Sequence, residues 1–193
     1  MKAALHHFLR QFGLNDDEAQ AVTAQATPLE LPTRHILIHQ GQTAEHFYFL
    51  AEGVCHACYL TEEGRAFSKE FYWEQETIIG FEALTTHGHS PFLLETLTTS
   101  RILALPIRLL TQWRTQRHPV YTALLERQLT FKENKERFML MYSPEERYRL
   151  FANNFAQLDV QITDKQLASY LGITATSLSR IKARQDEEKG LKK

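Results

Sequence analysis

The sequence predicts an α+β protein in which a β-rich N-terminal region is followed by a long helix and a C-terminal pair of short helices. Three observations predict it. Residues 29–105 are short apolar or alternating runs separated by glycine turns such as "TEEGR" and "THGHSP", which is typical of a β-sandwich or barrel of about eight strands. Residues 119–142 repeat apolar side chains at helical spacing, and residues 164–184 hold two short helical patterns joined at a glycine. We therefore divide the chain into a β-rich region with an N-terminal helix, a long helix and a helical domain, at residues 1–118, 119–142 and 143–193.

Composition limits the classes of function. The 193 residues are 43% hydrophobic and carry a formal net charge of −1, which is ordinary for a globular protein and argues against coating nucleic acid by charge alone. Residues 160–184 nevertheless hold four basic side chains against one acidic side chain, so a local basic site is compatible with the composition. No apolar run approaches the roughly 20 residues that span a bilayer, and no signal peptide is recognisable. We expect a cytoplasmic protein that does not enter a membrane.

The cysteines and known catalytic motifs give no sign of an enzyme. Cys55 and Cys58 lie in "GVCHACYL", where alternating residues predict a strand, and no second Cys-x-x-Cys completes a zinc site. We expect both to pack as ordinary buried residues. No nucleophile motif, phosphate-binding loop or dinucleotide fingerprint is present, so we predict no catalytic residue and no metal ligand.

Helix signals flank the β-rich region. Asn15 is predicted to cap a helix over 15–26, with Glu18 completing a capping box and Pro28 ending the helix. After Pro106, "IRLLTQWRTQ" predicts a short helix that stops near His118.

The long helix over 119–142 carries two apolar ridges. One ridge has a seven-residue repeat typical of a coiled-coil seam, and we predict that it contacts a second copy of the chain. Its members are Val120, Leu124, Phe131, Phe138 and Met141. The other ridge, Tyr121, Leu125 and Leu129, would then pack on the β-rich region, although the seam residues could pack there instead.

The last two helices satisfy the requirements of a helix-turn-helix. "SPEE" at Ser143 begins the preceding helix with a cap, a proline and a capping-box glutamate. Further on, Ala168 is small enough for a close helix crossing, Gly172 permits a positive φ at the turn, and Thr163 or Asp164 can cap the first helix. The predicted inward side chains are Leu167, Leu171, Ile173, Leu178 and Ile181.

The outward face of the second helix is short, polar and basic. At about 100° per residue, Thr176 and Arg180 point outward, flanked by hydroxyls, and no acid falls on this face before Asp186. Arginine can bond guanine O6 and N7 together in the DNA major groove. We predict that Thr176 and Arg180 contact base edges, with help from Ser177. The side chains predicted to contact phosphates or the edge of the groove are Thr174, Ser179, Lys182 and Arg184. The alternative is a helical hairpin that binds no DNA.

The combination of a β-rich domain, a long helix and a helix-turn-helix resembles the Crp/Fnr family of transcription regulators. The resemblance rests on "ILIHQGQTAEHFYFLAEGVCHACYLTEEGR", with turn glycines at 41, 53 and 64, and on "SPEERYRLF" and "DKQLASYLGITATSLSRI". It implies a sensor jelly roll like a cyclic nucleotide-binding domain, a homodimer, and a two-fold-symmetric site in double-stranded DNA. It also implies a small-molecule effector and admits RNA polymerase as a further partner.

Two departures from the family pattern bear on function. The phosphate cassette of cyclic nucleotide-binding members has a glutamate for the ribose and an arginine for the phosphate. Here Gly80 matches, Phe81 stands at the glutamate position beside Glu82, and no arginine lies between Gly80 and Arg101. We therefore expect that the protein does not bind cyclic AMP in the way these members do. The sequence assigns no cofactor and does not identify the effector. Candidate pocket residues are Gly80, Phe81, Glu82, Ser90, Pro91 and Phe92. The second departure is the polar stretch after Arg184, which is too short for the usual β-hairpin wing.

Two other classes of function compete with this interpretation. His87, His89 and Glu95 could hold iron or manganese, as in cupin enzymes or in a metal-sensing regulator. Their spacing is longer than the cupin pattern, and the second cupin motif is missing. The β-domain could instead serve as a protein-interaction module, which would predict no DNA binding.

Overall fold

The computed structural model describes residues 1–85 and 88–190, with the side chains of 188–190 excepted. Eight strands and eight α-helices occur in this part of the chain, in the predicted order. The strands are β1 Thr27–Leu31, β2 Ile36–Ile38, β3 His46–Glu52, β4 Cys55–Leu60, β5 Ala66–Tyr72, β6 Glu76–Ile78, β7 Leu93–Thr96 and β8 Ser100–Pro106. The helices are α1 Lys2–Gln11, α2 Asp16–Ala24, α3 Arg108–Thr115, α4 Pro119–Met141, α5 Pro144–Asn154, α6 Ala156–Asp159, α7 Asp164–Tyr170 and α8 Ala175–Gly190; a 3₁₀ helix spans Phe81–Leu84.

The strands form an antiparallel β-sandwich of two four-stranded sheets. One sheet has the order β1-β8-β3-β6 and the other has the order β2-β7-β4-β5. Strand β3 shows why both faces of the first sheet are covered: Tyr48 and Leu50 point into the sandwich, while Phe47 and Phe49 point to the opposite face, and all four are buried. The α+β fold predicted from the sequence, with an N-terminal sandwich and C-terminal helices, is confirmed.

Helices cover the outer faces of both sheets. Helices α1, α2 and α3 and the start of α4 pack on the first sheet, around core residues such as Phe8, Phe49 and Trp113. The second sheet faces the C-terminal helices, where Phe71 of β5 joins a core with Phe151 and Leu171. The sandwich therefore lies between the N-terminal helices and the C-terminal domain.

Local hydrogen bonds start the helices where the sequence predicts. Asn15 and Glu18 form a reciprocal capping box at α2, and Ser143 with Glu146 does the same at α5. Helix α1 was not predicted, although Leu5, Phe8 and Leu9 bury one helical face in the core beside the first sheet.

Both cysteines are buried and unpaired, and burial raises the pKa of Cys55 to about 12 and that of Cys58 to about 11. Their thiols are therefore protonated and unreactive at neutral pH, as expected for packing residues.

Candidate nucleic-acid interface and sensor domain

The helix-turn-helix has the predicted local construction. Thr163 accepts a hydrogen bond from the Gln166 backbone N–H and completes a capping box at α7. Gly172 has φ +69° at the turn, a left-handed backbone conformation that favours glycine, whereas the nearby Met139 Cε is the end of a flexible side chain that can move aside. Leu167, Leu171 and Leu178 are fully buried between the two helices and α5. Of the other predicted inward residues, Ile181 is buried and Ile173 is partly buried.

Helix α8 exposes the face that the sequence assigns to DNA. Thr176, Ser179 and Arg180 are exposed, and no acidic side chain of the described residues is within ion-pairing distance of Arg180. Thr174 caps the helix: its hydroxyl accepts from the Ser177 backbone N–H at 3.1 Å and lies 2.9 Å from the Ser177 hydroxyl. The predicted base-reading side chains of Thr176 and Arg180 therefore share one solvent-facing surface, whereas Ser177 is half-buried and bonded to Thr174.

The two predicted phosphate contacts at the end of this surface already have partners. Lys182 Nζ donates to Asp164 Oδ1 at 2.7 Å and lies 3.8 Å from Asp159 Oδ1. Arg184 Nη1 lies 3.9 Å from Glu145 Oε2. Because Lys182 is surrounded by carboxylates of its own domain, much of its charge is neutralised before any DNA approaches.

The predicted coiled-coil ridge of α4 lies mostly inside the molecule. Val120 and Leu124 are buried in the chain's own core, and Phe138 packs on the helix-turn-helix core. Phe131 is half-buried, so of the predicted seam Met141 alone is fully open to solvent among these described residues. Val120 and Leu124 cannot contact a second copy in this conformation, because α1–α3 and the first sheet already cover them.

A different ridge of α4 is exposed. Leu125, Leu129 and Leu140 lie within about 60° of one another on a helical wheel. Leu129 is 58% exposed and Leu140 is 77% exposed. Of the ridge predicted to pack on the β-rich region, Tyr121 does pack on the core beside Phe81, whereas Leu125 and Leu129 are exposed.

The candidate ligand pocket is closed by its own side chains. Phe92 is buried in the inner core of the sandwich, and its ring and Pro91 pack against Gly80. The Ser90 hydroxyl donates to the Phe92 carbonyl at 2.7 Å, and Phe81 packs edge-on against the Tyr121 ring. The cavity beside these residues measures about 20 Å³, room for about one water molecule. Of the predicted pocket residues, Gly80, Ser90 and Phe92 line this cavity and Phe81 lines another, and the cavity is too small for a nucleotide.

The C-terminal domain docks directly on the second sheet. The Ser68 backbone N–H of β5 donates to Ser169 Oγ at 2.8 Å, and the Ser68 hydroxyl donates to the Gln166 carbonyl at 3.0 Å. The rings of Phe71 and Tyr170 lie 5.1 Å apart beside these bonds. The polar contacts fix α7, and with it α8, relative to the sensor domain.

Charged side chains collect where β5 meets α4. Lys132 Nζ donates to the buried Glu70 carboxylate at 2.9 Å. Burial and the neighbouring Lys132 lower the pKa of Lys69 to about 8, and burial lowers that of Lys135 to about 7. Burial also raises the pKa of Glu76 to about 7. Sequence reasoning missed this group, because the residues come from distant segments.

The metal-site alternative is not favoured. His87 lies outside the described residues, and the Glu95 carboxylate is bonded to His56 Nδ1 at 3.1 Å. His89 makes an isolated bridge to Thr43. Within the described ranges, no group of three or more histidine, cysteine, aspartate or glutamate side chains could hold a metal ion.

The part of the chain that the structure describes contains no helix with the length and apolar character that crossing a bilayer requires.

Known proteins share both the β-rich domain and the overall fold of this chain. Residues 28–116 match the cyclic nucleotide-binding domain family. Among solved structures, FixK2 from Bradyrhizobium japonicum superposes with a TM-score of 0.71 at 15% identity, covering 84% of this chain and 85% of its own. A candidate transcriptional regulator of the Crp/Fnr family from Eubacterium rectale gives 0.72 at 15% identity, over 91% and 85%. The c-di-GMP-responsive regulator CLP from Xanthomonas campestris gives 0.67 at 15% identity, over 86% and 88%.

A comparison with curated protein sequences finds no significant match. The fold and the domain match nevertheless agree with the resemblance seen in the sequence. Residues 28–116 thus match the cyclic nucleotide-binding domain family, and these residues together with the C-terminal helices share the fold of FixK2 and of the Eubacterium rectale protein.

Proposed function

We propose that this protein is a sequence-specific DNA-binding transcription regulator. The observation that carries the proposal is the exposed face of α8, where Thr176, Ser179 and Arg180 face solvent from a helix capped by Thr174. A helix of this width fits the major groove, and an arginine without an ion-pair partner among the described residues is free to bond a guanine edge. The architecture shared with Crp/Fnr regulators supports the same conclusion.

The active form in this proposal is a homodimer. A second copy would cover the exposed α4 ridge of Leu125, Leu129 and Leu140 in an antiparallel or parallel helix pair about a two-fold axis. Two recognition helices must lie about 34 Å apart to enter successive major grooves on one side of the duplex. The DNA site is therefore expected to be two-fold symmetric.

The sensor domain acts in this proposal without cyclic AMP. Phe92 fills the interior of the sandwich, and the sequence offers no arginine between Gly80 and Arg101 to pair with a cyclic phosphate. Regulation instead follows from docking: a partner or effector that changes the contact of α7 with β5 shifts the population of α8 orientations. Titration calorimetry that finds micromolar binding of cyclic AMP would contradict this part.

The test is selection of sites from a random duplex library by the purified protein, without added ligand. The expected result is enrichment of a two-fold-symmetric sequence, with affinity that falls steeply as salt increases because phosphate contacts release counterions. Repeated failure to enrich any sequence, with and without cell-extract metabolites, would contradict the proposal.

A further inference from the structure

The crevice between the sensor and the helix-turn-helix contains an aromatic cavity with a single lysine in its wall. It measures about 230 Å³ and lies between α4, α5, α7 and the residues that follow β5. Its lining includes Trp73, Phe131, Phe138, Phe155 and Tyr170, with Lys135 among them. It is separate from the sandwich interior around Gly80 and Phe92, since the two share no lining residue.

The cavity continues into a larger, more polar space. Trp73, Asn154 and Phe155 also line a neighbouring crevice of about 800 Å³. Side-chain amides of Asn153, Asn154, Gln157 and Gln161 line that outer crevice. A ligand can therefore enter from solvent past hydrogen-bonding groups and reach the aromatic cavity.

The charge around Lys135 favours an anion. Lys135 Nζ donates to the Tyr170 carbonyl at 3.2 Å and lies against the Tyr170 ring. Lys132, Arg147 and Lys69 all repel its positive charge, and the carboxylate that attracts it, Glu70, already bonds Lys132. Burial and this repulsion lower the pKa of Lys135 to about 7. A carboxylate beside Nζ would supply the missing negative charge in a site with little water.

The shape and the number of donors restrict the ligand class. Flat rings on several sides of the cavity suit a planar apolar body, which stacks favourably on aromatic side chains. Lys135 is the one cationic side chain among the described residues that line the cavity, and a single ammonium balances the one charge of a carboxylate but not the higher charge of a phosphate. We propose that this cavity is an effector site for an aromatic monocarboxylate, with the carboxylate on Lys135 and the ring system against Trp73 and Phe155.

Such a ligand would bridge the parts of the molecule that must move. It would touch α4, the helix-turn-helix domain through Phe155 and Tyr170, and the sensor domain through Trp73. Its binding would hold α8 in one orientation relative to α4. The regulatory consequence rests on the DNA-binding function proposed above, but the site itself does not, and its test contains no DNA.

The test is titration calorimetry with naphthalene-2-carboxylate and its uncharged isostere naphthalene-2-carboxamide. The wild-type chain is expected to bind the carboxylate at least tenfold more tightly than the amide. Lys135→Met, which keeps an unbranched side chain one atom shorter and removes the charge, should reduce that preference to less than twofold. Lys165→Met alters an exposed lysine of α7 outside the cavity, and it should retain the wild-type preference.

A second readout uses the wild-type protein alone. At pH 8 a carboxylate on Lys135 should draw a proton onto the amine, so the binding heat should depend on the ionisation enthalpy of the buffer. The amide should show no such proton uptake. Equal affinities for the two probes, an unchanged preference in Lys135→Met, absence of proton uptake, or no carboxylate binding at millimolar concentration would each overturn the proposal.

Discussion

Replacement of Arg180 by alanine separates base reading from general attraction to DNA. The Arg180 side chain is exposed and without an acidic partner among the described residues, so Arg180→Ala should leave the stability of the fold almost unchanged. Loss of a bidentate contact with guanine costs about 1–3 kcal/mol, or roughly 5- to 150-fold in affinity at the preferred site. At a site with that guanine changed, wild type and variant should bind almost equally.

Lys182→Ala is the matched comparison on the same helix. Lys182 already donates to Asp164 at 2.7 Å. Its removal should therefore lower affinity by only about threefold, uniformly across sequences, because its charge is largely neutralised. It should also destabilise the domain slightly, by about 0.5–1 kcal/mol, through loss of a partly exposed ion pair.

The assay is fluorescence anisotropy with labelled duplexes at several salt concentrations, using the selected site and a set with single base-pair changes. The result that refutes this reasoning is a variant Arg180→Ala that keeps wild-type discrimination between the sites. A larger loss of specificity for Lys182→Ala than for Arg180→Ala would also refute it, because it would place the reading side chain at the other end of the face.

Three further predictions concern the pH response, assembly and the turn. Burial lowers the pKa of Lys135 to about 7 from its ordinary 10.5, so between these pH values the unfolded chain binds more protons than the folded chain. The free energy of unfolding should therefore rise with pH across this window. Urea titrations should show a weaker rise for Lys135→Met, and an identical slope in the variant would contradict the lowered pKa of Lys135. Leu129→Glu should shift the protein from dimer to monomer in sedimentation at micromolar concentration, whereas Thr130→Glu, an exposed neighbour, should not; equal behaviour would exclude this ridge as the interface. Gly172→Ala and Gly64→Ala should each lower stability by roughly 1–2 kcal/mol, because both place an L side chain at positive φ. The Met139 Cε beside residue 172 ends a flexible side chain and should add little. A much larger loss for Gly172→Ala on urea unfolding would contradict this reasoning.

Signals that depend on neighbouring residues could be predicted from the sequence. The capping residues Asn15, Ser143 and Thr163 bond backbone groups three positions away, so their role follows from local spacing. The turn at Gly172 and the outward position of Arg180 follow from helical geometry in the same way. The overlooked helix α1 also had a local signal, since Leu5, Phe8 and Phe12 recur at helical spacing.

Features that depend on distant contacts could not be predicted. Periodicity shows that Val120 and Leu124 share a face of α4, but it does not show whether the chain's own core or a second copy covers that face. The ion pair of Lys182 with Asp159 and Asp164, and the bond between Ser68 and Ser169, join segments whose proximity only the fold creates. The position of Phe92 inside the sandwich also depends on contacts between distant segments and could not be predicted from the sequence.

Dimethyl sulfate footprinting on the selected duplex measures whether α8 lies in the DNA major groove. The reagent methylates guanine N7 in the major groove and adenine N3 in the minor groove. If α8 lies there, the protein should protect two clusters of guanines, related by two-fold symmetry and centred about 10 base pairs apart, and Arg180→Ala should lose this protection. Protection confined to adenine N3, or no protection at a site that the protein binds, would contradict it.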